Sequence, residues 1–93
     1  MNYEWDEQKR ISNLEKHGLD LSESWKVFES LTKITFPATK IDPDEIRWFD
    51  IAEVEGLLLV LVYTMRGDSV RSISLRRAKR KERRAYDAAL KNH

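Results

Sequence analysis

Hydrophobic residues are spaced as in a helix in some segments of the chain and as in strands in others, and the N-terminal segment has the helical spacing. Residues 6–17 predict one helix, because Asp6 is a favourable N-cap and Gly18 can end the helix in a left-handed conformation. Ile11 and Leu14 give this helix a thin apolar stripe.

A second helix is predicted to follow at once. Asp20 and Glu23 stand three residues apart, as in a capping box. Leu21, Trp25 and Phe28 fall on one face of that helix, and we expect this face to lie in the core.

From residue 32 onward, β-branched and aromatic residues are interrupted by turn residues, which predicts strands. A loop is predicted over 38–45, and the pairs Glu55-Gly56 and Gly67-Asp68 predict tight turns between neighbouring strands. The third strand is apolar throughout, so we expect it to be buried on both faces at the centre of the sheet. Four strands are predicted, over residues 33–37, 46–54, 57–65 and 69–75.

The C-terminal part of the chain favours a helix again, and this helix is basic. Ala78, Ala85 and Ala89 form one face with Tyr86 and Leu90, and arginine and lysine fill the rest. The chain shows neither internal repeats nor a linker, so all 93 residues predict a single domain. The predicted fold class is α+β, with two N-terminal helices, an antiparallel meander of about four strands and a basic C-terminal helix.

The composition excludes several kinds of site. Hydrophobic residues are 41% of the chain, so it is expected to fold, and the absence of cysteine excludes disulfides, thiolate zinc sites and a thiol nucleophile. Two histidines, His17 and His93, are too few for a histidine-rich metal site. Asp42, Asp44 and Glu45 offer oxygen ligands, but their spacing is not that of an EF-hand loop, so a hydrophilic turn is predicted there. We expect neither a metal nor a cofactor.

The N-terminal sequence MNYEWDEQKR is acidic and lacks the basic start and the apolar run of a secretory signal. The longest apolar run, 57–63, is far shorter than the ~20 residues of a membrane-spanning helix. These features predict a cytoplasmic protein that has no membrane partner.

Charge is divided unevenly along the chain, although the net charge is only +1. Residues 1–65 carry a net charge of −6, and residues 66–93 a net charge of +7. Seven of the nine residues 76–84 are basic, at a helix N-terminus where the dipole already favours anions. This run predicts contact with a phosphate backbone or an acidic protein, whereas the alternative is a solvated helix face with Glu82 and Asp87 as salt partners.

Two further sets of basic residues are candidates for a site. Lys9 and Lys16 are seven residues apart on the first helix and therefore share a face, with His17 beside them. The position of Lys16 and His17 at a helix C-terminus is also explained by the helix dipole alone. Alternation along the last strand predicts that Arg71 shares a face with Ile73 and Leu75, on the sheet surface near the basic run.

The chain contains no glycine-rich phosphate loop, no G-x-S-x-G elbow and no H-E-x-x-H pair. The remaining groups are arginine, lysine, histidine, carboxylates and tyrosine, and this set suits RNA cleavage. The 2′-hydroxyl of RNA can be the nucleophile, so the protein needs only to orient it, accept a proton and stabilise charge, without a metal.

Several blocks of the sequence resemble, in the same order, the BrnT family of bacterial toxins. They are YEWDEQK at 3–9, NLEKHGL at 13–19, EIRW at 45–48, LLVLVYT at 58–64, ISLRRA at 73–78 and ERRAY at 82–86. The resemblance implies a type II toxin with a RelE-like ribonuclease fold, which cleaves RNA and arrests translation. It also implies a BrnA antitoxin with a ribbon–helix–helix DNA-binding domain, and a toxin–antitoxin complex that binds its own operator DNA.

Carried over position by position, the resemblance implies Lys9, His17 and Arg76 as catalytic residues. Arg76 is suited to hold the scissile phosphate bidentately, Lys9 to supply a second cation or a base, and His17 to donate to the leaving oxygen. Further arginines are expected to bind the RNA backbone, namely Arg47, Arg71, Arg77, Arg80 and Arg83. The alternative function is a non-catalytic module that binds nucleic acid or a protein partner through the basic C-terminal helix.

Overall fold

A computed structural model describes residues 1–37 and 45–92, which form a five-stranded sheet with helices packed against it. The order of the strands is β1-β5-β4-β3-β2. The predicted α+β class is confirmed, whereas the predicted loop 38–45 lies outside the described residues except for Glu45. The elements are β1 (Asn2–Glu4), α1 (Glu7–His17), a 3₁₀ turn (Leu21–Glu23), α2 (Trp25–Phe28), β2 (Ile34–Pro37), β3 (Trp48–Val54), β4 (Leu57–Arg66), β5 (Ser69–Arg77) and α3 (Arg80–Lys91).

The sheet is mixed, which corrects the predicted meander of about four antiparallel strands. β2 to β5 do form an antiparallel meander, but β1 adds a strand parallel to β5, with Asn2 opposite Ser69 and Glu4 opposite Arg71. β1 has three residues and therefore no alternation that a sequence pattern could reveal. β4 lies at the centre of the sheet and buries four consecutive residues, 58–61, as predicted.

The ends of several elements follow the local signals in the sequence. The Asp6 side chain caps α1 by accepting two backbone N–H bonds, and Gly18 ends the helix with φ of +68°. Glu55 and Gly56 both have positive φ in the turn between β3 and β4, and Gly67 has φ of +57° in the turn between β4 and β5. These are the conformations that tight hairpin turns require.

The apolar faces of the N-terminal helices differ from the prediction. The predicted second helix is a 3₁₀ turn followed by the one-turn α2, so the spacing of 3.6 residues does not persist. As a result Val27 takes the core position and Trp25 is 49% exposed, so the prediction of a buried Trp25 was wrong. In α1, Ile11 and Leu14 are more than 40% exposed, and the buried residue is Asn13.

The two faces of the sheet carry separate clusters. α1, the 3₁₀ turn and α2 pack on the first face, whose core consists of Leu21, Val27, Ala52, Leu59, Leu61, Tyr63, Val70 and Leu75. α3 lies over the second face and contributes Tyr86 to a cluster with Ile51, Leu58 and Val60.

The predicted basic C-terminal helix is confirmed as α3, of 12 residues. In its first turn the Glu82 carboxylate accepts the backbone N–H of Lys79 at 2.8 Å, as in a capping box. Further along, the Tyr86 hydroxyl donates to the carbonyl oxygen of Thr32 at 3.0 Å and joins α3 to the segment before β2. None of the helices within residues 1–37 and 45–92 is long and apolar enough to span a membrane.

A bulge in β5 decides which side chains share a face. Ile73 is an extra residue that has no partner opposite it on β4. The extra residue reverses the alternation, so Arg71 lies on the second face with Ser74 and Arg76, whereas Leu75 lies in the first core. The expectation that Arg71 shares a face with Leu75 was therefore wrong.

Candidate functional site

A groove between α1 and β5 collects three of the basic side chains of α1. Lys9, Lys16 and His17 line it, together with Ser74 and Ile73 of the bulged strand, and its volume is about 160 Å³. All three basic residues are exposed to solvent. None of the described lining residues is acidic, so the groove presents ammonium, imidazole and hydroxyl groups suited to an anion.

Asn13 fixes the wall of this groove. Its side-chain amide donates to the carbonyl oxygen of Leu75 at 2.8 Å, and its oxygen accepts the backbone N–H of Leu75 at 3.1 Å. The second amide hydrogen goes to the carbonyl oxygen of Leu19 at 2.8 Å, just after α1. α1 is thereby attached to β5 by hydrogen bonds from its one buried side chain.

Arg76 does not belong to the described lining of the groove. Its guanidinium binds Glu82 bidentately, with N–O distances of 2.8 and 2.7 Å, and the side chains are 15% and 17% exposed. The hydrogen bonds from Arg76 lower the pKa of Glu82, although burial opposes this shift, and the same bonds raise the pKa of Arg76. Glu82 is thus a salt partner of the basic run, and it occupies the group that was expected to hold a phosphate.

The other arginines expected to bind RNA lie in different surroundings. Arg71 is 3.6 Å from Glu4 of β1, and Arg47 is 3.4 Å from Glu45. Both of these ion pairs involve partly exposed side chains, so a phosphate competes with a weakly held carboxylate.

Arg77, Arg80 and Arg83 are exposed. Arg77 follows Arg76 and points to the first face, while Arg80 lies in the first turn of α3. Arg83 lines a second groove, of about 390 Å³, between α3 and the sheet, which also contains Tyr86 and the carboxylates Glu53 and Asp87. Within the described part of the chain, these three arginines form no ion pair.

Two buried polar side chains, Asn13 and Asp50, were given no role in the sequence analysis. Asn13 stands at a helix position whose neighbours are exposed, and a lone buried asparagine there is a weak signal. Asp50 is completely buried in β3 and accepts hydrogen bonds from Lys33, Thr35 and Tyr63 at 2.8, 2.7 and 3.0 Å. Burial and the Asp50 charge raise the pKa of Tyr63. This network lies on the first face, toward the β2 edge, and stabilises the sheet on the side away from β5.

Within residues 1–37 and 45–92 no three His, Asp or Glu side chains are grouped closely enough to hold a metal ion. The groove itself offers the ammonium groups of its lysines, the imidazole of His17 and the hydroxyl groups of Ser12 and Ser74.

A family model described as "Ribonuclease toxin, BrnT, of type II toxin-antitoxin system" matches residues 5–82, which is most of the chain. A search of curated proteins finds no match.

Proposed function

The chain belongs to the BrnT family of ribonuclease toxins of type II toxin–antitoxin systems, and on that basis we propose that it is a metal-independent endoribonuclease with its catalytic groups in the groove between α1 and β5. Family membership gives RNA as the substrate and an antitoxin as the partner. The observation that carries the proposal for the site is the grouping of Lys9, Lys16 and His17 in one groove with no acidic residue in its described lining.

The proposed reaction uses the 2′-hydroxyl of the substrate as the nucleophile. Its oxygen attacks the adjacent phosphorus, the bond to the 5′ oxygen breaks, and the products are a 2′,3′-cyclic phosphate and a free 5′-hydroxyl. The proton of the 2′-hydroxyl passes to solvent water, His17 donates the proton that the leaving 5′ oxygen takes up, and Lys9 and Lys16 stabilise the negative charge on the phosphorane. A divalent ion is not needed for any of these steps, because the nucleophile is already part of the RNA.

Arg76 enters this proposal as the bidentate phosphate ligand, with Glu82 as its competitor. The two side chains form a close ion pair, so a phosphate has to replace the carboxylate before Arg76 can bind it. Arg76 and Ser74 lie on the same face of β5, and Ser74 lines the groove. Strand β5 therefore links Arg76 to the groove. The remaining arginines, Arg47, Arg71, Arg77, Arg80 and Arg83, are proposed to attract the RNA backbone, which makes binding dependent on salt.

The finer description of the partner and of the fold belongs to the same proposal. We propose a RelE-like fold, a cytoplasmic location and a BrnA-type antitoxin whose ribbon–helix–helix domain takes the complex to its own operator DNA. Membership of the BrnT family supports this description. The half-exposed Trp25 offers an apolar side chain of the kind that is enriched at protein interfaces.

The test is expression of the wild type and of three variants in an inducible bacterial host, at matched soluble levels, while growth and RNA integrity are followed. Lys9→Ala and His17→Ala are expected to lose growth arrest and RNA cleavage. Lys91→Ala is the matched control, because Lys91, like Lys16, stands in the last turn of a helix but lies on α3 outside the groove. Purified wild type is expected to cleave RNA equally in the presence of a chelator.

Two results would overturn this proposal in different ways. Wild type that leaves RNA intact at every protein concentration contradicts the enzymatic function itself. Cleavage that survives in both Lys9→Ala and His17→Ala contradicts the location of the site but not the function.

A second function, as a non-catalytic nucleic-acid module, is favoured by one observation on α3. Arg80, Lys81 and Arg84 are all exposed on this helix, and within the described residues none of them forms an ion pair. Such a module is expected to bind RNA with an affinity that falls steeply with salt and to release it uncleaved. The same purified protein distinguishes the two functions, since only the enzyme produces cyclic phosphate ends.

A further inference from the structure

On the edge of β5 that faces away from β4, a side chain makes backbone hydrogen bonds that a neighbouring strand would otherwise make. β1 pairs with β5 only from Ser69 to Arg71, and within the described residues no strand pairs with the part of that edge beyond Arg71. There the Asn13 amide exchanges two hydrogen bonds with the N–H and C=O of Leu75, at 3.1 and 2.8 Å. A neighbouring antiparallel strand would make the same pair of bonds with one residue of β5.

All the hydrogen-bonding groups of this amide are used. Besides Leu75, its second N–H reaches the carbonyl oxygen of Leu19, and the Ser74 hydroxyl donates to its oxygen at 3.4 Å. The residue is 6% exposed. Among side chains of this length, only a carboxamide presents a donor and an acceptor side by side, so aspartate and leucine, which are close to it in size, cannot reproduce the arrangement.

The hydrogen bonds between Asn13 and Leu75 lie beside the bulge, where the register of β5 decides which face each later side chain takes. Ile73 is the extra residue of the bulge, and Leu75 is the second residue after it. A slip of one residue there would move Arg76 from the second face to the first. On the α1 side, the same helix that carries Asn13 carries Lys9 and His17, which line the groove.

We propose that Asn13 is a positioning residue of the ribonuclease site, which holds the basic face of α1 at a fixed distance and register from the bulged part of β5. This inference rests on the proposed function. Asn13 does not touch the reacting atoms; it acts through Lys9 and His17 on one side and through Ser74 and Arg76 on the other. Loss of its amide leaves the groups present but misplaced, and such a displacement is expected to slow the chemical step more than it weakens RNA binding.

The test compares Asn13→Asp with Ser24→Ala in the purified full chain, with steady-state cleavage of a short RNA and thermal unfolding measured on each. Asn13→Asp keeps the shape but cannot donate to Leu75 and Leu19 while it is ionised. We expect kcat to fall by roughly 10- to 100-fold. KM is expected to rise as well, because the new carboxylate stands in the lining of a groove suited to anions. As the pH falls and the carboxyl group becomes protonated, it regains one donor, so the ratio of its kcat to that of the wild type is expected to rise.

Ser24→Ala is the control for lost stability, because it removes a buried hydrogen bond to the carbonyl oxygen of Leu21 on the same layer of helices, outside the groove. Its kcat is expected to match that of the wild type. If Asn13→Asp does not fold, Asn13→Gln, which retains the amide one methylene further out, is measured in its place with the same expectation of a lower kcat.

An equal kcat for the Asn13 variant and Ser24→Ala, in an assay where the wild type cleaves, overturns the inference alone. A wild type that does not cleave overturns the proposed function and the inference together.

Discussion

The ion pair between Arg76 and Glu82 gives a prediction that can be worked out from its geometry. Both guanidinium nitrogens meet a carboxylate oxygen below 3 Å, and the side chains are 15% and 17% exposed, so the pair is neither fully buried nor free in solvent. Exposed pairs contribute about 0.2–1 kcal/mol, and removal of one partner from a buried pair costs about 3–5 kcal/mol. We therefore expect Glu82→Gln to lower the free energy of unfolding by about 2 kcal/mol.

The perturbation is a double-mutant cycle of Glu82→Gln, Arg76→Met and the two combined. Urea unfolding is followed by tryptophan fluorescence and by far-UV circular dichroism at pH 7. The coupling energy is expected to be about 1–2 kcal/mol, and each single variant is expected to melt roughly 8–16 °C below the wild type, from about 4–8 °C for each kcal/mol in a domain of this size. Arg84→Met, at an exposed position of α3, is the control and is expected to stay within about 0.5 kcal/mol of the wild type.

The pH dependence follows from the direction of the shift. Hydrogen bonds from Arg76 lower the pKa of Glu82 in the folded protein, so the carboxylate contributes stability above its unfolded pKa, about 4.3. That contribution is lost as the pH falls through the lower, folded pKa. The stability difference between wild type and Glu82→Gln is thus expected to be complete at pH 7 and to disappear in acid. A coupling energy below about 0.3 kcal/mol at pH 7, or a difference that does not change with pH, would refute the reasoning.

Two further predictions concern the first core. The Ser72 hydroxyl is buried and has no hydrogen-bond partner within the described part of the chain. Ser72→Ala is therefore expected to leave the free energy of unfolding unchanged, or to raise it by up to about 1 kcal/mol, in urea titrations. A decrease of more than about 1 kcal/mol would contradict this view. Lys33→Met removes the charged partner of the fully buried Asp50 and is expected to lower the free energy of unfolding by about 2–4 kcal/mol. Lys26→Met breaks only longer surface contacts and is expected to lower it by less than about 0.5 kcal/mol. Equal decreases in the two variants would contradict the role of the buried pair.

Elements whose signals are local could be predicted from the sequence. The helix from Glu7 to His17 has both its caps within 12 residues of one another, and the glycine turns set the conformation of the hairpins without help from distant parts of the chain. The grouping of Lys9, Lys16 and His17 could be predicted for the same reason, since a single helix places them together.

Features that depend on contacts between distant segments could not be predicted. β1 is too short to show a pattern, and it is a strand only because β5 offers it an edge. The bulge at Ile73 has no glycine to mark it, yet it reverses the facing of Arg71 relative to Leu75. The sequence did offer Glu82 as a salt partner of the basic run, but its pairing with Arg76 in particular depends on the angle between β5 and α3, which the pattern of neither element contains.

The pairing of β1 with β5 has a consequence for how the protein is made. β1 is synthesised before β5 and has to wait for it, because Asn2 pairs with Ser69 and the segment between these two residues is most of the 93 residues. Closing so long a loop is slow, and it cannot begin until the β4–β5 hairpin has left the ribosome. A chain cut short before residue 69 has no β5 edge for β1 to pair with, so this sheet is complete only after β5 has been translated.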